Sequence, residues 1–145
     1  MVRFTPRSLR TARIAASVWA LFLLVLTSWP QPPQVPAISW VPDFDKFVHA
    51  FLYGVQGYLL YFAIRWPEPP SSPLLAALCV GGVLAAWGTL DELHQAWIPG
   101  RSMEAMDALT DALAGFSGGL AAALRSRRLR APSAPSASPT PALRS

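Results

Sequence analysis

The residues of this chain that can do chemistry are few, and they are gathered. The first group reads Asp45-Lys46-x-x-His49. On a helix, Asp45 and His49 share a face at i, i+4, and Lys46 and His49 do so at i, i+3. The second group is Asp91-Glu92-x-His94-Gln95, with Asp91 spaced for His94 and Glu92 for Gln95. Further on come Arg101 and Glu104, then Asp107 and Asp111, again four apart. An imidazole beside a carboxylate can move protons, with Glu92 and His49 as the acid–base pair. His49, Glu92, His94 and Asp107 also offer nitrogen and oxygen atoms of the kind that ligate metals. Their spacing matches no zinc signature such as HExxH, and no nucleophile elbow, phosphate loop or CxxC accompanies them. No metal and no cofactor is expected on these grounds. A plainer use is available to every one of these charges: locking helix ends together through ion pairs and caps.

The elements that must position these groups are apolar blocks. The chain has 145 residues, 52% of them hydrophobic and 14% charged, where a soluble domain carries roughly a quarter charged. That length suits one domain. The apolar residues come in long runs rather than scattered at helical period, as in segments that face lipid. A basic, uncharged-by-acid start at residues 1–13 holds Arg3, Arg7, Arg10 and Arg13. Four helices are expected over about residues 12–29, 46–66, 74–91 and 104–124, the membrane domain spanning 14–124. A cleaved leader is the rival reading of the first, although no small-x-small cleavage site precedes the prolines that follow it. Prolines at 30, 32, 33, 36 and 42 predict an extended first loop, with Asp43 or Asp45 capping the next helix. Gly81, Gly82 and Gly88 in the third segment, and Gly115, Gly118 and Gly119 in the fourth, predict close helix packing. Pro99-Gly100 is a turn signal and Ser102 a candidate cap for the last helix. Residues 125–145 are rich in Arg, Pro, Ser and Ala and are expected to form a disordered cytoplasmic tail. The lone Cys79 lies in an apolar run, so no intramolecular disulfide forms.

Counting four spans sorts the charges. Arg3, Arg7, Arg10, Arg13, Arg65, Arg125, Arg127, Arg128, Arg130 and Arg144 fall on one side with Glu68; Lys46 and Arg101 fall on the other. The positive-inside rule then puts both termini in the cytoplasm. Asp45, Lys46, His49, Asp91, Glu92, His94, Gln95, Arg101, Asp107 and Asp111 gather toward the outer face as the candidate functional cluster. The same asymmetry accounts for the net charge of +4 without nucleic acid. Asp111 sits about 9 Å into the last helix by helical rise. A carboxylate at such depth must face the bundle and find a partner, with Arg101, Lys46 or His49 as the candidates.

These residues carry a resemblance. Asp45-Lys46-x-x-His49-x-x-x-Tyr53, then Asp91-Glu92-x-His94-Gln95, Pro99-Gly100-Arg101 and Asp107-x-x-x-Asp111-x-x-x-Gly115 resemble the VanZ-like family over about residues 40–122. Many relatives have asparagine where this chain has Asp111. The resemblance implies a small multi-pass protein of the bacterial plasma membrane, in a family whose namesake is tied to resistance to the glycopeptide teicoplanin. A binding or accessory role at the outer face is the expectation, toward a lipid headgroup, cell-wall precursor or glycolipid. Two alternatives stand beside it. One is a membrane enzyme acting on a lipid-linked or cell-wall precursor through Glu92 and His49. The other is a structural partner of a second membrane protein, or of its own copy, through the glycine and alanine face of the last helix.

Overall fold

A computed structural model describes residues 6–30, 44–64, 66, 70 and 72–130. The described chain is all α-helical: α1 is Pro6–Thr27, α2 Phe44–Ala63, α3 Pro73–Gln95 and α4 Ala105–Arg130. The expectations for the first loop, Asp43, Arg65, Glu68 and the chain beyond residue 130 lie outside the described residues.

Local chemistry explains the ends. Pro6 opens α1, where a missing N–H costs nothing. Ser72 caps α3, its hydroxyl accepting from the Leu75 amide at 3.3 Å, with Pro73 at the first helical position. Asp45 sits in the first turn of α2 rather than ahead of it, where its negative charge suits the helix N-terminus. Ile98 to Arg101 forms the expected turn: the Arg101 amide donates to Ile98 O at 3.1 Å, and Gly100 takes φ 82°, open to glycine and strained for other residues. Glu104, not Ser102, immediately precedes α4; its carbonyl accepts from the amides of Asp107 and Ala108.

Boundaries of all four helices differ from expectation. Helix α1 begins at Pro6 rather than near residue 12, inside the basic start, and α2 ends at Ala63 rather than 66. Helix α3 continues through Asp91, Glu92, His94 and Gln95 instead of ending at 91. Its polar last turn stays helical because its side chains are satisfied: Asp91 by Thr27 of α1 and Tyr53 of α2, Glu92 and Gln95 by Glu104 and Arg101 of the segment that follows. Helix α4 runs to Arg130, so residues 125–130 are helix rather than tail. Arginines in a last turn face the negative end of the helix dipole, and Ser126 is buried there.

Contacts fix the order of the helices. Arg13 Nε donates to Ala63 O at 3.2 Å and Trp19 Nε1 to Leu52 O at 2.9 Å, so α1 and α2 run antiparallel. Helix α4 is the hub, packed on α2 and α3. Gly81 meets Phe116, Gly119 meets Val80, and Gly115 meets Leu84, all across α3 and α4. A Cβ on Gly57 would collide with the Gly115 backbone, and one on Gly118 with the Gly54 backbone, where α2 and α4 cross. Gly115, Gly118 and Gly119 of α4 are therefore used inside the bundle. Gly82 faces open space and packs nothing.

The pattern of burial is inverted relative to a water-soluble bundle. Ile14, Val18, Leu21, Val25, Phe47, Phe51, Leu78, Leu90 and Leu113 are exposed. Gln56, Asp91, Glu92, Gln95, Asp107 and Asp111 are buried. Two helices, α1 and α3, are long and apolar enough to cross a membrane. In α2 the apolar run is broken by His49, Tyr53, Gln56 and Tyr61; the last three are buried, while Phe47 and Phe51 point out.

Candidate functional site

The polar side chains meet at one end of the bundle, where α1 and α3 end and α2 and α4 begin. The meeting has two layers.

The outer layer is built on Lys46. Its Nζ lies 3.3 Å from Asp45, Glu104 and Asp107. The ammonium donates hydrogen bonds to Asp45 Oδ2 and Glu104 Oε2, whereas Asp107 Oδ1 is an ion-pair contact without hydrogen-bond alignment. These residues tie the first turns of α2 and α4.

The inner layer holds His49 and Asp111. His49 Nδ1 lies 2.9 Å from Asp111 Oδ1, as when an imidazole N–H donates to a carboxylate. The other ring nitrogen, Nε2, is 4.0 Å from Asp107 Oδ2. Of the three partners that depth required for Asp111, the structure selects His49. Asp111 is wholly shielded from solvent, and its Oδ2 has no hydrogen-bond partner among the described residues. The carboxylate fits because residue 88 is glycine: a Cβ there would stand 2.9 Å from both Asp111 Cβ and Oδ2.

Helix α3 adds two carboxylates. Asp91 accepts from Tyr53 Oη at 3.0 Å and lies 2.8 Å from Thr27 Oγ1. Thr27 has one hydroxyl proton and also lies near its own helix carbonyls; the Asp91 oxygen is the shortest of these contacts. Glu92 accepts from the Glu104 amide at 2.7 Å on one oxygen and from Gln95 Nε2 at 3.1 Å on the other. Gln95 Nε2 also lies 3.4 Å from Asp91 Oδ2, and its carbonyl oxygen accepts from Arg101 at 2.6 Å. The Pro99-Gly100 turn folds Arg101 back onto α3 for this contact.

Nine of the ten residues expected in the cluster thus come together: Asp45, Lys46, His49, Asp91, Glu92, Gln95, Arg101, Asp107 and Asp111. His94 does not. It is exposed, and Asp91 spends its oxygens on Thr27, Tyr53 and Gln95 instead. Spacing alone pairs Asp91 with His94, but i, i+3 geometry is silent about which helix face turns inward. The expected Glu92–Gln95 pair forms. Glu92 and His49 make no hydrogen bond to each other; His49 is held by Asp111.

One contributor was not expected. Thr27 is an unremarked hydroxyl in an apolar helix. Gly88, expected to pack closely, makes the room that Asp111 fills. A polar side chain inside an apolar run is the signal that could have found Thr27.

One atom each of His49, Glu92 and Asp111 lies within 4.8 Å of the others, and the same holds for Asp45, Glu104 and Asp107. The second trio surrounds the Lys46 ammonium. The first has no such occupant among the described residues. Comparison with protein-family models, with curated proteins and with solved structures finds no match to this chain.

Proposed function

We propose that this chain is a four-span, VanZ-like protein of the bacterial plasma membrane, with both termini in the cytoplasm, that binds a polar headgroup of the cell envelope at its outer face. One observation carries the reading: ionisable and amide side chains from α2, α3 and α4, with Thr27 of α1, converge at one end of a bundle whose exterior is apolar. Burying such groups is costly in a bilayer, and they gather where a polar pathway or ligand is served. The opposite end carries Arg7, Arg10, Arg13, Arg125, Arg127 and Arg128, the asymmetry that orients membrane proteins. Helices of 20 and 26 residues are about 30 and 39 Å long, enough for α2 and α4 to span as well. Exposed Trp29 and Trp97 suit the interfacial level on the clustered side. The resemblance to the VanZ-like family supports the envelope setting and suggests an effect on glycopeptide susceptibility.

The test is lipid recovery. The protein is purified in mild detergent and its bound lipids are identified by mass spectrometry, beside a Glu92→Ala, Arg101→Ala variant of equal yield and helicity. A headgroup class enriched with the wild type and absent from the variant is the expected result. Identical lipid profiles would end the binding reading.

A second reading is acid–base catalysis on a lipid-linked precursor. What favours it is the Asp111-held imidazole, whose Nε2 makes no hydrogen bond among the described residues, as in sites where a carboxylate orients a histidine base. In this geometry the pair is His49 with Asp111, since His49 is hydrogen-bonded to Asp111 and not to Glu92.

A further inference from the structure

We propose that His49, Glu92 and Asp111 form a binding site for one divalent transition-metal cation, of the zinc or manganese class, which presents an open position to an anionic headgroup oxygen. This rests on the binding reading above and names how the site would work.

Four observations point the same way. The three side chains come from α2, α3 and α4 and bring one imidazole nitrogen and two carboxylates within 4.8 Å. That donor set suits borderline divalent ions. Donor atoms around such a cation, at about 2.1 Å each, stand roughly 3 to 3.5 Å apart, so closing the trio asks for side-chain adjustment and no helix movement. Next, Asp111 is fully buried and its Oδ2 has no hydrogen-bond partner among the described residues. That oxygen lies against Gly88, one turn before Glu92 on the same face of α3. A buried carboxylate oxygen left without a donor is costly, and a cation would satisfy it. Third, the two carboxylate groups differ in their cations. Asp45, Glu104 and Asp107 share Lys46. Among the described residues, neither Glu92 nor Asp111 meets a lysine or arginine. Finally, the cluster as a whole holds six carboxylates, Asp45, Asp91, Glu92, Glu104, Asp107 and Asp111, against Lys46 and Arg101. An anionic headgroup approaching it would be repelled; a divalent cation reverses the local sign. Three protein ligands leave the fourth position for that oxygen.

The full chain, stripped with chelator in detergent, is titrated with Co2+ and followed by its visible d–d absorption, then challenged with Zn2+. The expected result is one Co2+ per chain, displaced by Zn2+, with affinity lower by about tenfold or more in each of His49→Gln, Glu92→Gln and Asp111→Asn. Glu104→Gln, in the Lys46 layer, should bind as the wild type does. Thermal unfolding identifies any variant that has lost its fold, and the remaining variants decide. Folded wild type without saturable Co2+ binding would overturn the proposal, as would binding that Glu104→Gln abolishes and the three ligand variants leave intact. Lipid recovery separates this from the binding reading. Metal-free protein that still retains its headgroup through Glu92 and Arg101 refutes the metal site alone. Stoichiometric metal without any selective lipid refutes the headgroup reading alone.

Discussion

At the scale of single residues, the cluster depends on carboxylates whose partners come from far along the chain. Asp91 gathers Thr27 from 64 residues before it and Tyr53 from 38 before it. Each donor joins a separate helix to α3. Removing one hydrogen bond to a buried charged group costs about 1.5 to 3 kcal/mol. Tyr53→Phe and Thr27→Val should each lower unfolding stability in detergent by about that amount. Because both serve one carboxylate, the double variant should depart from additivity by about 0.5 kcal/mol or more. Additive losses would show that the two contacts are independent. Much of this residue-level picture was legible beforehand. A carboxylate at the depth of Asp111 demands a partner, and His49 was one of three named. Its exact choice was not legible, because it depends on the rotation of α2 and α4 about their axes, which few periodic apolar residues constrain in an all-round apolar helix. The same ambiguity placed His94 in the cluster when it is exposed.

At the scale of elements, packing is set by glycines. The α2–α4 crossing brings Gly57 onto the Gly115 backbone and Gly118 onto the Gly54 backbone. Nothing larger than hydrogen fits at Gly57 or Gly118, so Gly57→Ala and Gly118→Ala should destabilise the bundle by about 1–3 kcal/mol through forced separation of the helices. Gly82→Ala, in open space inside α3, should leave stability unchanged or raise it by up to about 1 kcal/mol. Thermal denaturation of the three variants in one detergent checks the contrast; equal effects would contradict it. The sequence made the packing role of Gly88, Gly115, Gly118 and Gly119 legible, because glycine in an apolar helix signals close approach. It misled at Gly82, which has the same composition signal and no neighbour. It also misled at the ends of α3 and α4. Polar residues were read there as helix ends, yet a side chain received by another helix, or an arginine at a C-terminus, lets the helix continue.

At the scale of the whole molecule, the four helices and their order followed directly from the apolar blocks and the proline and glycine breaks between them. The arrangement of the blocks did not. That α4 packs on both α2 and α3 while α1 rests mainly on α2 is a matter of shape complementarity between glycine-lined faces, and composition carries no record of it. The sidedness of charge is the strongest whole-molecule feature. Arginines occupy the end where α1 and α3 begin; carboxylates occupy the end where they finish. The central proposal is that this polar end lies at the outer surface of a four-span protein. Intact cells treated with a membrane-impermeant maleimide test it, using Cys79→Ser protein bearing single cysteines at Trp97, beside the cluster, or at Ser72, at the opposite end. Labelling of Trp97→Cys in intact cells, with Ser72→Cys labelled only after the membrane is opened, is the predicted result. Labelling of Ser72→Cys and protection of Trp97→Cys in intact cells would contradict it.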